Sequence, residues 1–473
     1  MFGKIYTFYP PKWVFICAVV IFEIGSAICG AAPNSIAFIF GRAMAGLGSC
    51  GIFAGVIIII VDVVPLRKRP MITGFMGSIF GLSTVVAPLI GGAFTDRVSW
   101  RWCFYVNLPV AGVTLVVIFF LLKTSPPPYN PSSSSVSKKK TVMERIYQLD
   151  PMGTCSFLPC IVCLIIALEW GGTKYAWSNG RVIALFVVFG VLAIVFIGTQ
   201  VWLKEDASVP PRIIKNRSMA ACVWYSICIG GTMVVAIYYL PQWFQAVKGA
   251  SAVRSGIMNL PLVLGVVVAS ILSGILVTRL GYSAPFMYAC TVIMSIGAGL
   301  MITFTPATGH AKWIGYQVIY GFGLGLGMQR ASVAAQTELD RKDVPTGASL
   351  MMLCQNLGGA VFLPVAESIF TNSLASRLES VHDCSSCGII SGGNIGATDL
   401  RKVVATTDPQ DMSMVLSAYN YGVTQALIVA LALSCFSIFG AVATRWTSIK
   451  KPPVKNQGKS VNNTDIVKDD GNV

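Results

Sequence analysis

The sequence predicts an all-α polytopic membrane protein with about 12 transmembrane helices. Hydrophobic residues make up 54% of the 473 residues and charged residues only 12%, whereas soluble globular domains are about 25% charged. The mean hydropathy is +0.69. Apolar runs of about 20 residues, long enough to cross a hydrocarbon core of about 30 Å, recur along the chain. Because lipid cannot satisfy open backbone groups, each run indicates a helix.

The apolar runs follow one another from near the amino terminus to residue 444, with one long polar segment after the fourth run and another after the eleventh. Each run is bounded by charged, proline-rich or glycine-rich sequence. Their approximate positions are 13–33, 36–61, 71–93, 103–122, 152–169, 181–202, 218–240, 256–279, 284–304, 311–330, 346–370 and 417–444.

The basic residues indicate the topology. The net charge is +15, and most Lys and Arg residues fall on one side if residues 1–12 are placed in the cytoplasm and the runs alternate. This asymmetry follows the positive-inside rule, which places both termini in the cytoplasm. The positive charge therefore indicates orientation in the lipid bilayer and no nucleic-acid partner.

Two charged residues lie within the first two apolar runs, Glu23 in the first and Arg42 in the second. Charges inside a membrane span are costly and commonly face the bundle interior or a watery cavity. Glu23 is either a proton-binding or substrate-binding group, or a carboxyl paired with Arg42, and we favour the pairing. Arg42 is either a functional residue or a packing arginine that caps carbonyl groups of the outer loop.

The third run contains many small residues and one proline. Small residues allow helix backbones to approach closely, and Pro88 removes a backbone hydrogen bond and so predicts a bend. This helix is predicted to be a close-packed contact that pivots at Pro88, although packing alone accounts for any single glycine. The small residues of this helix and its proline are Gly74, Gly77, Gly81, Ser83, Ala87, Pro88, Gly91 and Gly92.

A second group of candidates is polar and aromatic. The seventh run ends in YYLPQWFQ, in which Tyr238, Tyr239 and Gln242 either form an interfacial belt or line a pocket for a flat, mostly apolar ligand. In the eleventh run, Gln355 and Asn356 are weaker candidates for the same substrate cavity.

No cofactor or metal is predicted. Cys384 and Cys387 lie in the motif HDCSSC of a predicted external loop, where a local disulfide or two free thiols are favoured because a zinc site needs four ligands. The glycine-rich stretch 321–327 lacks the strand and the Lys-Ser/Thr pair of a nucleotide loop. An integral membrane enzyme is not predicted, because no cluster of His, Cys or carboxylate residues lies at one depth.

Several of these motifs resemble those of the major facilitator superfamily, in particular its fourteen-span drug:proton antiporters. GRAMAGLG resembles the fourth-span motif of that family, whose arginine is implicated in proton exchange, and Arg42 occupies that position. The third run resembles the antiporter motif. Gly74, Pro88, Gly91 and Gly92 match it, whereas Ser83 and Ala87 replace usual glycines. FEIGSAICGAAPNS, WRWCFYVNLP and WGGTKYAW resemble the fungal branch, which exports toxins, antifungals and secondary metabolites.

The resemblance implies a major facilitator bundle that lacks its first two spans, since motifs of the third to fifth spans of the family occupy the first to third here. GKIYTFYPPK resembles a degenerate loop between the second and third spans. The expected regions are an incomplete four-span half over 1–122, a cytoplasmic loop over 123–150, two linker helices over 151–203, a six-helix half over 204–445 with an external loop at 372–416, and a disordered tail over 446–473.

The resemblance also implies the function, which is proton-coupled efflux of small amphipathic organic compounds by alternating access. Arg42 and Glu23 are the proton-coupling candidates, and the protein is expected to be a monomer in the plasma membrane rather than the vacuolar membrane. Two alternatives remain open. One is uptake or vacuolar storage of basic amino acids or iron chelates, and the other is a membrane fragment or sensor that does not transport.

Overall fold

The computed structural model describes residues 2–122, 150–172, 174–204, 207–340, 343–379 and 409–450. The predicted cytoplasmic loop, apart from Asp150, and the predicted tail beyond residue 450 lie outside these ranges. So do Cys384 and Cys387. The described residues form α-helices, short loops and two isolated backbone bridges, with no β-strand.

Seventeen α-helices are present in the described ranges, and a short 3₁₀ helix over Leu66–Lys68 precedes the fourth. In chain order they are α1 Phe2–Phe8, α2 Pro11–Ala31, α3 Ser35–Val63, α4 Arg69–Arg97, α5 Trp102–Tyr105, α6 Asn107–Leu121, α7 Pro151–Trp170, α8 Gly180–Leu203, α9 Pro211–Ile214, α10 Arg217–Ala246, α11 Ala252–Met258, α12 Leu260–Leu280, α13 Ala284–Ile302, α14 His310–Gly327, α15 Arg330–Glu338, α16 Val344–Glu379 and α17 Pro409–Ala443.

Long helices occupy all twelve predicted runs, with α5 and α6 together forming the fourth. Ten stretches in the described residues are long and apolar enough to cross a membrane, and α4 and α14 are not among them. In α14, His310, Lys312 and Gln317 lower the hydropathy of a helix of only 18 residues. The helices α16 and α17 extend beyond their predicted runs into both ends of the predicted external loop at 372–416.

The amino-terminal helices form a small core of their own. α2 packs along α3 and also contacts α6. The core residues come mainly from α1, α2 and α3, and the phenol of Tyr6 in α1 is fully buried, where it donates a hydrogen bond of 3.0 Å to the carbonyl of Gly51. This region is held together by aromatic and aliphatic side chains, namely Tyr6, Val14, Phe15, Val19, Ala54 and Ile58.

The carboxy-terminal helices α10 and α12 to α17 share one continuous apolar core that extends to Ile449. The helix α10 lies at its centre and packs on both α16 and α17. Buried polar side chains in this core are paired across helices. The indole N–H of Trp243 donates to Asn420 Oδ1 at 2.7 Å, and the Asn420 amide donates to the Phe304 carbonyl at 2.9 Å.

Two further contacts complete the architecture. The hairpin of α7 and α8 packs through α7 on α16, and α4 packs along α12. The helix α4 therefore joins the amino-terminal region to the carboxy-terminal core, as expected for the predicted close-packed third span.

Candidate functional site

A cavity of about 460 Å³ lies between α1, α3, the α7–α8 hairpin and α16. Its wall therefore combines helices of the amino-terminal region, the α7–α8 hairpin and one helix of the carboxy-terminal core. Four phenyl rings and several small polar groups line it, together with Lys4. A mostly apolar cavity with a few hydrogen-bonding groups suits a small organic ligand. The rings are those of Phe2, Phe53, Phe157 and Phe196, and the polar side chains include Ser49, Thr154, Ser208, Thr346, Ser349 and Asn356.

The predicted substrate residues do not all lie in this cavity. Asn356 lines it, and its amide also donates to the carbonyl of Met352 at 2.9 Å in the same helix. Gln355 does not belong to the cavity wall, and its backbone packs against Gly230 of α10. These two neighbours in α16 therefore have different surroundings, since Asn356 lines the cavity and the Gln355 backbone packs on α10.

The tyrosines of α10 form a separate cluster. Tyr239 is fully buried, and its hydroxyl donates to Glu367 Oε2 of α16 at 3.2 Å. The Tyr238 ring lies edge-on to that of Tyr239, with 5.2 Å between centroids, and its hydroxyl lies beside Gln242 and Glu367. The structure therefore brings Tyr238, Tyr239 and Gln242 together, but around a carboxyl group and away from the cavity.

Sequence reasoning left Glu367 out of the predicted site, although a carboxyl inside an apolar run is a functional candidate by default. Glu169, near the end of α7, lies close enough to Glu367 for the two charges to interact. The structure thus places two carboxyl groups and two phenols at one end of α7, α10 and α16. The signal that could have found this cluster was the pair of glutamates, one near the end of each predicted span.

The predicted pairing of Glu23 with Arg42 is wrong. Both carboxyl oxygens of Glu23 are buried without a hydrogen-bond partner in the described structure, whereas the Arg42 side chain is exposed and lies 6.0 Å from the centroid of the Phe104 ring. The reason is helical geometry. Gly41 packs against Cys29 of α2, and the next residue along α3 points about 100° away from that contact.

The first half of the predicted small-residue stripe forms the contact between α4 and α12. A Cβ atom on Gly74 would lie 2.5 Å from the Ser270 carbonyl oxygen and 3.1 Å from Gly274 Cα, so no larger residue fits without movement. The hydroxyl of Ser78 donates to the Val267 carbonyl at 3.2 Å across the same contact. Close approach of small residues with a hydrogen bond between helices is typical of membrane helix packing.

The second half of the stripe is much less constrained. Ser83 and Ala87 are exposed, and the Ser83 hydroxyl donates within its own helix to Ile79 at 2.9 Å. A Cβ atom on Gly91 would meet nothing within 4 Å, and one on Gly92 would meet only Val253, at 3.9 Å. The helix is continuous across Pro88, whose side chain lies outside the described residues.

No metal site emerges in the described part of the chain, where no group of three or more His, Cys, Asp or Glu residues could hold an ion. The predicted disulfide or thiol pair, Cys384 and Cys387, lies beyond the described residues and stays a prediction. The candidate functional features are therefore the cavity, the α4–α12 contact, the unpaired Glu23 and the Glu367 cluster.

Comparison with known proteins identifies the family of this chain. Residues 1–363 match the model of the Major Facilitator Superfamily. The chain is 50% identical over 450 residues to the "MFS-type efflux pump MFS1" of Arthroderma benhamiae, an alignment that covers 95% of this chain and 82% of the relative. It is 45% identical over 451 residues to the "Rubrofusarin-specific efflux pump aurT" of Gibberella zeae, with 95% and 80% covered.

The fold agrees with solved structures of the same family. The proton:xylose symporter XylE superposes with a TM-score of 0.53 at 13% identity, covering 95% of this chain and 83% of that one. At such low identity the likeness concerns the fold alone. The helical architecture, the apolar spans and the extent of the sequence match together show that this chain is a multi-pass membrane transporter, not an enzyme, and belongs to the major facilitator superfamily.

Proposed function

We propose that this protein exports small amphipathic organic compounds, such as fungal toxins, other secondary metabolites or antifungal drugs, in exchange for protons. The observation that carries the proposal is the 50% identity, spread over 95% of the chain, to a protein named an efflux pump. The alignment with that relative extends over 450 of the 473 residues. We further propose that the protein acts as a monomer in the plasma membrane with both termini in the cytoplasm.

The chemistry of the cavity supports this choice of cargo. Phenyl rings dominate its wall, and hydroxyl and amide groups supply a few hydrogen bonds. Such a surface favours flat ligands with an apolar body and polar substituents over sugars or amino acids, which need many directed hydrogen bonds.

The contact between α4 and α12 supports alternating access. It joins the two parts of the molecule through closely spaced backbones at Gly74 and Gly274, and it loosens toward Gly91. In carriers of this type, access changes when one half rocks against the other around a central site. We propose that the tight end of α4, around Gly74, is the contact on which the two parts rock.

Glu23 is the proposed proton carrier. An unpaired carboxylate away from water is costly, and binding a proton removes that cost. Arg42 is the second proposed proton-coupling residue, because it occupies the arginine position of the GRAMAGLG motif. A conformational change that opens the buried Glu23 carboxyl to water on one side of the membrane and then on the other would bind and release a proton once per cycle, which couples proton entry to export.

Transport into inside-out plasma-membrane vesicles tests the proposal. Vesicles from a host that lacks other drug pumps would be loaded with acid buffer, and rubrofusarin or rhodamine 6G would be added outside. We expect accumulation only with the interior acidic, and a loss of that dependence in Glu23→Gln and Arg42→Ala. Glu367→Gln is the matched comparison, because it neutralises a carboxyl in the other half of the molecule.

Three results would contradict the proposal in different ways. Accumulation driven only by an alkaline interior would indicate uptake by the cell, and no accumulation under either gradient would remove transport of these compounds. Loss of gradient dependence in Glu367→Gln, with Glu23→Gln unchanged, would keep antiport but move the proton site to the Tyr239 cluster.

A further inference from the structure

The only two non-glycine residues with positive φ in the described structure flank the linker hairpin. Asp150, with φ 54° and ψ 63°, precedes α7, and Lys204, with φ 48°, follows α8. Left-handed backbone is uncommon outside glycine, and it persists where surrounding contacts hold it in place. At Asp150 those contacts are visible.

The carboxylate of Asp150 ties three segments together. Its Oδ1 accepts a hydrogen bond of 2.7 Å from the amide of Gly153, which caps α7. Its Oδ2 accepts from Gln200 Nε2 near the end of α8 and from the amide of Ser208, each at 2.8 Å. The side chain of Asp150 is fully buried. Burial disfavours the charged form, but hydrogen bonds from Gln200, Ser208 and Gly153 together hold its pKa below the ordinary value, so the carboxylate is ionised at neutral pH.

Gln200 extends this network to Val209, the next residue of the segment between α8 and α10, which we call the connector. Its Oε1 accepts from the amide of Val209 at 3.0 Å, so one amide side chain links the carboxylate to the connector backbone. Gly153 is required for the arrangement, because a Cβ atom there would lie 2.5 Å from Gln200 Nε2 and 2.6 Å from Asp150 Oδ1. We call Asp150, Gly153, Gln200 and the amides of Ser208 and Val209 the Asp150 clamp.

The connector that the clamp holds belongs to the carboxy-terminal half. Ile213 is buried in its apolar core, and Val209 packs against that core. Arg212 Nη2 lies 3.0 Å from Asp343 Oδ2, immediately before α16. At the other end of the hairpin, Gly172 packs against Ser368 of α16. The hairpin is thus attached to the carboxy-terminal half at both ends, whereas the cavity lies between it and α3.

We propose that Asp150 is a positioning residue for transport, because its clamp fastens the α7–α8 hairpin to the carboxy-terminal half so that the two move as one body. The hairpin supplies Thr154 and Phe157 to the cavity wall. When the halves rock, this wall follows α16 and separates from α3. A broken clamp lets the hairpin lag behind, which slows the conformational step. Asp150 and Gln200 do not line the cavity themselves, whereas Gly153, Ser208 and Val209 do, so the test relies first on substitutions of Asp150 and Gln200. The proposal requires alternating access but does not depend on which ion or cargo is used.

Steady-state export kinetics in the same vesicles test the role of the clamp. In Asp150→Asn an amide N–H₂ faces the N–H groups of Gln200 or Ser208, so at least one hydrogen bond to a charged group is lost. We expect Vmax to fall about tenfold for such a loss. KM should stay within about twofold of wild type. Gly153→Ala should also lower Vmax, because its methyl group enters the clamp while every polar group remains. Its KM is not a criterion, since Gly153 lines the cavity. Gln200→Ala keeps the helix cap and should give a smaller loss.

The matched control is Asn179→Ala. The side chain of Asn179 caps α8 at the opposite end of the same hairpin, where it accepts from the amide of Arg181 at 3.0 Å. We expect its Vmax to stay within about twofold of wild type, since removal of a cap alone affects helix stability modestly. An equal loss of Vmax in Asn179→Ala would show that only capping matters and would overturn the proposal.

Two further measurements keep the test decisive if a variant inserts poorly. Hydrogen exchange should become faster at the amides of Ser208 and Val209 in Gln200→Ala and remain unchanged there in Asn179→Ala. The double variant Asp150→Asn/Gln200→Glu restores a donor–acceptor pair between the two side chains and should recover part of the lost Vmax. Unchanged exchange at both amides, or a normal Vmax in Gly153→Ala, would overturn the proposal. A wild-type protein that transports nothing would instead remove the proposed function.

Discussion

The two halves of the molecule differ sharply in how they bury their helices. In the most apolar 18-residue stretch of α10, 67% of the residues are buried. No residue is buried between Trp102 and Leu121, the stretch that contains α6. The carboxy-terminal helices enclose one another around a single core, and the amino-terminal helices present much of their apolar surface outward. The carboxy-terminal region therefore holds its own shape, while the amino-terminal region depends on what surrounds it.

Polar groups do not follow this difference, because the described carboxy-terminal core contains both paired side chains and unpaired buried atoms, among them those of Tyr225, Gln317 and Arg330. In the carboxy-terminal core, Trp243 and Asn420 satisfy each other and the backbone, and the hydroxyls of Thr232 and Tyr320 lie 3.0 Å apart. In the amino-terminal region, Glu23 has two buried oxygens without a hydrogen-bond partner in the described structure. A fully paired polar network rigidifies a core, and an unpaired buried group is costly. The burial of the helices, not the pairing of polar groups, is what distinguishes the two halves.

The largest effect on export is expected from a substitution that breaks the contact between α4 and α12. Gly74→Val would force a side chain into the backbone of α12, and overpacking of this kind typically costs about 1–3 kcal/mol. We expect export to fall at least about tenfold, measured as initial efflux of a fluorescent dye per unit of protein in the membrane. Because Gly74 has no room for a Cβ atom, alanine should already reduce export.

Gly91→Val is the matched control for this contact, since nothing lies within 4 Å of a Cβ atom at that position. Valine costs a helix no more than glycine does, so export should stay within about twofold of wild type. If Gly91→Val inactivates the protein as fully as Gly74→Val, the packing seen at Gly74 does not explain why this helix matters.

The second prediction compares matched asparagines in the two halves. Asn420→Ala leaves the indole N–H of Trp243 and the Phe304 carbonyl without partners, and we expect the free energy of unfolding to fall by about 2–4 kcal/mol. The amide of Asn107 donates to Ser26 Oγ at 3.3 Å. Asn107→Ala should lower the free energy of unfolding by less than about 1 kcal/mol. Unfolding by a denaturing detergent, followed by tryptophan fluorescence, measures both. Equal losses would contradict the contrast between the halves.

The smallest expected effect concerns a buried charge in the carboxy-terminal half. Arg330 is fully buried, and none of its three guanidinium nitrogens has a hydrogen-bond partner in the described structure. Methionine of similar length removes the buried charge, so Arg330→Met should raise the free energy of unfolding by about 1–2 kcal/mol. Lys248→Met is the control. The Lys248 ammonium donates to the carbonyls of Pro306 and Thr308 at 2.7 and 2.8 Å, and its loss should destabilise. A less stable Arg330→Met would indicate a bound partner for the guanidinium.

The sequence by itself determined the class of the protein and the order of its helices. Apolar runs of spanning length have few alternatives in lipid, because every backbone group must be satisfied within the segment. The positions of the small residues in α4 also predicted a close helix contact, since only small side chains permit such an approach. These features depend on local composition and spacing, which a sequence displays directly.

The tertiary structure decided which side chains meet. The depth of Glu23 and Arg42 in neighbouring helices suggested a pair, but the rotation of α3 turns Arg42 outward. Tyr239 and Glu367 are 128 residues apart, and Asp150 and Ser208 are 58 residues apart. No local pattern fixes such distances. They follow from how α7, α10 and α16 pack, and a rotation of about 100° per residue is enough to make or break each contact.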